Sequence, residues 1–321
     1  MCAGARSEAR GVDGELHTVA RLLGGFAGSS PMRPFRRSVT PMEPTSQVVT
    51  AHPAPALAAF IDRYVGYRMS GFEAGLHRGL PSRHMTFIVA IGPSIDVISQ
   101  TDARQSPDDY RCVLSGLQDT PAMIAHDGTQ EGVAIKLTPL GSRALFGLPA
   151  AELWSTSIEF ADLIGSPGRQ LWEELQEQTG WPQRFAACDR VLTRLLVPER
   201  AVGPELSWAW RAVAGSHGTI GVETLAERVG WSRQYLTKRF TGEFGSSPKV
   251  AGRVARFERA KQMLLHTPSF VSIAQVAATC GYYDQPHLNR EFARLAGCSP
   301  TQWLAEEIPS VQDPEMAGEP G

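Results

Sequence analysis

The sequence contains no C-x-x-C pair, and its five cysteines (Cys2, Cys112, Cys188, Cys280 and Cys298) lie far apart. That spacing excludes a zinc ribbon and a thioredoxin-like motif and points to reduced thiols in a cytoplasmic protein. No apolar run approaches the roughly 18 residues needed to cross a bilayer, so a membrane partner is not expected. A secretory leader is not expected either, because the most apolar stretch near the start, residues 16–27, is interrupted by His17 and Arg21. Histidines are sparse and none forms an H-x-H pair. His77, His84 and His126 therefore read as structural or surface residues, and neither a metal nor another cofactor is predicted. Net charge is also small, -2 over 321 residues, so the average balance implies no polyanionic partner. Hydrophobic residues at 42% and charged residues at 20% suffice for an ordinary core and exclude a wholly disordered, collagen-like or coiled-coil chain. The length suggests two domains.

Residues 1–50, rich in Ala, Gly, Arg, Ser and Pro, read as a disordered arm or, with Met32 and Met42 as alternative starts, a mis-assigned start. Short β-rich runs follow: residues 85–91 (MTFIVAI), 95–99, 110–114, and 122–125 with 132–137 flanking the Asp127-Gly128 turn. Strands in sequence without long helices between them suggest a small antiparallel barrel or sandwich. Helical patterning then covers 142–146, 169–178 and 182–196. In the last of these, Phe185, Cys188, Val191, Leu192 and Leu195 form an apolar stripe that suits packing on the β domain or a dimer helix pair. Trp208 and Trp210 read as core residues; Trp154, Trp172 and Trp181 read as core or as lining of a pocket. The expected division is an effector-binding or dimerisation domain at 51–197, a Pro- and Gly-bearing linker at 198–204, a second domain at 205–307 and a disordered tail at 308–321.

The second domain repeats itself. Leu225-Ala226, Val229, Gly230 and Trp231 match Val276-Ala277, Cys280, Gly281 and Tyr282 at an offset of 51. Leu236, Phe240 and Gly245-Ser246-Ser247-Pro248 match Leu288, Phe292 and Gly297-Cys298-Ser299-Pro300 at an offset of 52. Each unit reads as a short helix ended by glycine, a capped turn (Ser232 or Asp284) and a second helix, which is the helix-turn-helix pattern. Ser247-Pro248 opens a connecting helix at 249–265, and Ser299-Pro300 opens a last helix with Trp303 and Leu304 expected inward. About 17 residues at ~1.5 Å each span about 25 Å. With the flanking helices, that length suits two recognition helices in successive major grooves about 34 Å apart.

Charge is concentrated here. Residues 232–261 hold eight basic and two acidic side chains, a net +6, which leaves -8 for the remainder. A basic stretch in an acidic protein is the footprint of a phosphate-binding surface. With Leu236 and Phe240 turned inward, the opposite face of the first recognition helix carries Gln234, Lys238 and Thr241, with Thr237 beside them. In the second unit Arg290 lies opposite the buried face, with His287 nearby and Gln285 and Asn289 flanking it near the helix start. These eight are the expected base readers, since Arg and Lys suit guanine and Gln and Asn suit adenine. Phosphate contacts are expected from Ser232, Arg233, Arg239, Lys249, Arg253, Arg294 and Ser299.

These residues resemble the AraC/XylS family of bacterial transcription regulators over about 100 positions. The second unit carries the more specific match: Ile273-Ala274-Gln275-Val276-Ala277, Cys280-Gly281-Tyr282, Leu288-Asn289-Arg290-Glu291-Phe292 and Gly297 to Trp303. The first unit adds Leu236-Thr237-Lys238-Arg239-Phe240 and Ser247-Pro248-Lys249, and Arg256, Ala260 and Leu264 fit the family's linker helix. The sequence departs from the pattern at Tyr282 (usually Phe), Ala251 (usually aromatic) and Lys238 (usually Arg). The last loses bidentate geometry.

The resemblance implies an α+β protein: a small β-barrel or cupin-like N-terminal domain with trailing helices, then an all-α domain of two helix-turn-helix units. It implies double-stranded DNA as partner, a small-molecule effector of unknown identity, RNA polymerase and a second copy of the chain as further partners, and an arm before Leu57 over the ligand pocket. A protein partner in place of the effector is the alternative. A DNA-repair methyltransferase would need a Pro-Cys-His nucleophile or a four-cysteine zinc cluster; the sequence has neither, and no enzymatic activity is expected.

Overall fold

The computed structural model describes residues 44–266 and 272–306. Most of the expected N-terminal arm and the expected tail at 308–321 lie outside these residues.

Among the described residues, ten strands form two antiparallel sheets. The larger has the order β1 (Thr45–Ala51), β2 (Ile61–Ser70), β9 (Gln130–Leu137), β4 (Thr86–Ala90), β7 (Cys112–Ser115) and β10 (Ser157–Glu159). The smaller has the order β3 (Gly75–Gly79), β8 (Ala122–His126), β5 (Ile95–Ser99) and β6 (Asp108–Tyr110). The sheets pack face to face, with Val65, Tyr67, Ile88 and Val113 of one meeting Val97, Tyr110 and Ala122 of the other. They do not close into a barrel, which corrects the barrel expectation. β1 corrects the disordered reading for residues 45–50: it pairs with β2 along its whole length, from Thr45 opposite Ser70 to Ala51 opposite Tyr64.

The outer face of the larger sheet is also covered. Tyr64, Phe87, Val89, Cys112, Leu114, Val133 and Ile135 pack with helical residues in one apolar core. Burial on both faces explains the continuous apolar run of β4, where a half-exposed strand would alternate. After a single turn of π-helix at Ser142–Phe146 and a 3-10 turn at Ala150–Leu153 come α1 (Phe160–Ile164), α2 (Ser166–Glu177) and α3 (Trp181–Leu195). The apolar stripe of α3 is occupied within the chain: Phe185, Cys188, Val191 and Leu192 are buried, and Phe185 stacks on Tyr64. It is not free to pair with a second copy. Trp181 closes over Gly66, where a Cβ would overlap the indole.

Residues 198–204 include a 3-10 turn, Pro198–Arg200, before α4 (Pro204–Gly215). The remaining helices are α5 (Val222–Val229), α6 (Arg233–Phe244), α7 (Pro248–His266), α8 (Ile273–Thr279), α9 (Gln285–Ala296) and α10 (Pro300–Glu306). The first unit does not stand apart from the β-sheet region. Leu225, Phe240 and Phe244 belong to the same core as Leu153 and Phe185. Trp154 lies against Gly245, and Arg143 Nε donates to both carboxylate oxygens of Glu243 at 2.8 Å. The second unit has its own core around Phe257, Leu288, Phe292 and Trp303, into which Leu80 of the β-sheet region inserts.

Trp210 is buried, as expected, but Trp208 is 39% exposed. Trp303 is buried while Leu304 is 41% exposed, because α10 turns only one face inward. No described helix is long and apolar enough to cross a membrane.

Candidate nucleic-acid interface

Each helix-turn-helix unit is built by local chemistry. In the first, Gly230 ends α5 at φ 71°, and Ser232 Oγ accepts the Tyr235 N–H at 3.2 Å to start α6. In the second, Ser272 and Gln275 form a reciprocal capping box at α8, Gly281 turns at φ 75°, and Asp284 accepts the His287 N–H at 2.7 Å to start α9. Side-chain caps of this kind satisfy N–H groups that the first helical turn leaves open. Ser247 and Ser299 accept the Val250 and Gln302 N–H groups, so both prolines sit at the first position of a helix. The connecting helix α7 has 19 residues, about 28 Å at ~1.5 Å each.

The recognition helices α6 and α9 turn Leu236, Phe240, Leu288 and Phe292 fully inward. On α6, Gln234, Lys238 and Thr241 are exposed and Thr237 is half-buried. On α9, Arg290 is exposed, while Gln285, His287 and Asn289 are half-buried. His287 is partly engaged: its Nδ1 accepts the Tyr283 N–H at 3.3 Å and its ring meets Tyr282 edge-on. Asn289 Oδ1 is buried without a partner.

The expected phosphate set divides. Ser232, Arg233, Arg239, Lys249 and Ser299 are exposed. Arg233 lies 3.6 Å from Glu223, and Arg239 sits over the ring of Tyr235. Arg253 is different: its guanidinium makes a two-bond pair with Glu291 at 2.6 and 2.9 Å and is 15% exposed. It joins α7 to α9 inside the unit, which revises its expected role. Arg294 is exposed but reaches Asp119 of the β-sheet region at 3.2 Å.

The net charge of +6 therefore overstates the surface. Lys261 is buried, Arg253 is paired, and Arg256 donates to the Gly218 carbonyl at 2.7 Å. Exposed Arg228, Arg290 and Arg294, outside the counted stretch or in the second unit, widen the basic surface instead.

Two residues escaped the sequence reading. Tyr283 is 93% exposed just before the Asp284 cap, and Tyr235 is 45% exposed in the first turn of α6. An aromatic exposed at a helix start is unusual for a core-building repeat. The sequence signal was a second aromatic adjoining Tyr282, and one four residues past Trp231. Cys112 and Cys188 are fully buried, and burial pushes both thiols well above their usual range, the reverse of an activated nucleophile. Among the described residues no group of His, Cys, Asp or Glu is placed to hold a metal.

Comparison with known proteins follows this division. Residues 225–306 match the family described as a helix-turn-helix domain, and residues 49–159 match a domain family of unknown function. A curated relative, the HTH-type transcriptional regulator Rv1931c of Mycobacterium tuberculosis, is 30% identical over 138 residues, 42% of this chain. The chain spans about half that relative's length, 49%. Among solved structures, the DNA-binding domain of AdpA, crystallised with target DNA, is 29% identical over 32% of this chain and 92% of its own (TM-score 0.30). ToxT of Vibrio cholerae is 12% identical, covering 81% of this chain and 98% of its own (TM-score 0.44). With its two capped units, its connecting helix and this family match, the segment at residues 225–306 is a helix-turn-helix domain, similar to those of the AraC/XylS family.

Proposed function

We propose that the chain is a sequence-specific DNA-binding transcription regulator, controlled by a small molecule held in its N-terminal β-sheet region. The observation that carries this reading is the repeat itself. Two recognition helices, each with a cap and an inward apolar face, are joined by a continuous helix of 19 residues. Lys238 and Arg290 stand at equivalent, exposed positions on them. In this reading Gln234, Thr237, Lys238 and Thr241 meet base edges in one major groove, and Gln285, His287, Asn289 and Arg290 meet them in the next. Ser232, Arg233, Arg239, Lys249, Arg294 and Ser299 meet phosphates, joined by Tyr235 and Tyr283 through their hydroxyls. Arg253 supports α9 from within.

Genome-wide mapping of binding tests it, for wild type and for Lys238→Ala/Arg290→Ala. Discrete wild-type sites that vanish in the double variant are expected, and sites that persist unchanged would refute these reading faces. Log affinity should also fall steeply with log salt, by roughly 0.9 per phosphate contact. A protein that used its units only to bind other proteins would not show that slope.

A further inference from the structure

Between the two sheets lies a narrow, mostly apolar cavity of about 50 Å³, so a ring-sized ligand enters it only by parting the walls. Tyr67, Ile88 and Val113 face it from one sheet, and His77, Val97 and Ile124 from the other. No Asp, Glu, Lys or Arg lines it. Its polar groups largely pair with each other: Ser115 Oγ lies 2.8 Å from Ser157 Oγ, and Gln118 Nε2 donates to the Gly79 carbonyl at 2.8 Å. Burial, reinforced by His126, lowers His77 to about 4, so this ring is uncharged at neutral pH.

A wider vestibule of about 430 Å³ shares Tyr67, Ile95 and Gln130 with the cavity. It carries Asp96, Asp127 and Glu131 and no Lys or Arg. Glu131 is neutralised by Arg68 and Arg184, but the two aspartates have no cationic partner in the vestibule wall. An anion entering here passes carboxylates and then meets no cation. A cation leaves the carboxylates behind for a wall that cannot pair it, and burying an unpaired charge is prohibitive. One donor stands ready at the junction. His126 Nδ1 accepts the Gly128 N–H at 3.2 Å, which places the neutral ring's hydrogen on Nε2, and that buried atom has no partner.

The Gln118–Gly79 wall is also where the second helix-turn-helix unit docks. Next to Gly79, Arg78 pairs with Glu306 of α10 at 2.8 Å, and Leu80 enters the second unit's core. Next to Gln118, Asp119 pairs with Arg294 of α9 at 3.2 Å, and Pro121 lies against Gly297. A ligand that parts Gln118 from Gly79 displaces residues gripping α9 and α10.

We propose that this cavity takes a small, uncharged, mainly apolar molecule with a hydrogen-bond acceptor, and that occupancy reaches α9 through the Gln118–Gly79 contact. The proposal rests on the effector-controlled reading above. Full-length protein would be titrated with acetophenone, benzoate and benzylamine, which share a ring and differ in charge. Binding would be followed by ligand-observed NMR, and DNA affinity by fluorescence anisotropy on a mapped site.

Acetophenone should bind at least tenfold more tightly than the two ions and change wild-type DNA affinity at least threefold. Val113→Phe should abolish its binding by filling the cavity; Val97→Phe repeats the test from the opposite sheet if that variant fails to fold. Asp119→Ala, which cuts the grip on α9 from outside the cavity, should keep acetophenone binding and lose most of the change in DNA affinity. Benzoate or benzylamine binding as tightly as acetophenone would overturn the ligand class while leaving effector control standing. An undiminished response in Asp119→Ala would overturn the relay. If none of the three binds, the ligand class fails, and effector control survives only if the cavity-filling variants themselves shift DNA affinity. Acetophenone binding that leaves DNA affinity unchanged would overturn both relay and effector control.

Discussion

Lys238 and Arg290 are equivalent in the repeat, yet they are different chemical tools. Arg290 offers a fork that matches two acceptors on a guanine edge, and Lys238 offers a single mobile point charge. Alanine at either position should weaken specific binding by about 1–3 kcal/mol. Lys238→Arg should sharpen discrimination in the first half-site without raising nonspecific affinity to the same degree. Anisotropy titrations on specific and scrambled duplexes check both. Arg253 belongs to a different argument. Its pair with Glu291 is mostly buried, so Arg253→Ala strands a carboxylate between α7 and α9. We expect a loss of stability of about 1–3 kcal/mol, visible in urea melts, with DNA affinity falling only as far as the second unit loosens. Affinity lost at unchanged stability would return Arg253 to the phosphate-contacting set. The basic residues of this stretch were legible one by one. Their partners were not, because Glu291 lies 38 positions away and charge counting carries no geometry.

The helices of the C-terminal region were the most legible elements, since caps, glycine stops and apolar spacing are local signals. Gly230, Ser232, Gly281 and Asp284 act at the positions their chemistry suggests. The strands were harder. β2 carries Asp62, Arg63, Gly66 and Arg68 between its apolar residues, and no periodicity marks it, because its two faces meet different layers. Gly66 is explained only by Trp181, over a hundred residues later. Gly66→Val should push that indole out of place and cost about 1–3 kcal/mol, as overpacking does, read from the shift of the unfolding midpoint. His77, between the sheets, gives a second test through pH. Its folded-state value of about 4 lies below the unfolded value of 6.5, so the unfolded chain binds the extra proton between them. Stability from this group is complete above pH 6.5 and declines as pH falls toward 4, by at most about 3 kcal/mol. His77→Gln should flatten that part of the stability–pH curve; an unaltered slope would mean that His77 stays solvated.

The repeat, the charge and the fold class could be read before any coordinates, but the docking of the helix-turn-helix units on the β-sheet region could not. It depends on pairs such as Arg143–Glu243, Arg78–Glu306 and Asp119–Arg294, which link positions 100 to 228 apart. Glu243 is the buried member of the first pair, on the recognition helix α6 itself, and two hydrogen bonds from Arg143 hold it. Removing Arg143 leaves that carboxylate facing a low-dielectric wall, and the first unit can recover solvation for it only by separating from Trp154 and the helices beneath. Arg143→Ala should therefore speed proteolysis in residues 198–204 severalfold while the second unit, anchored by Leu80, stays protected. Glu243→Gln should restore protection, since an uncharged amide tolerates the same burial. Equal cleavage rates in all three proteins would show that apolar packing alone holds the first unit in place, and that this ion pair merely decorates the contact.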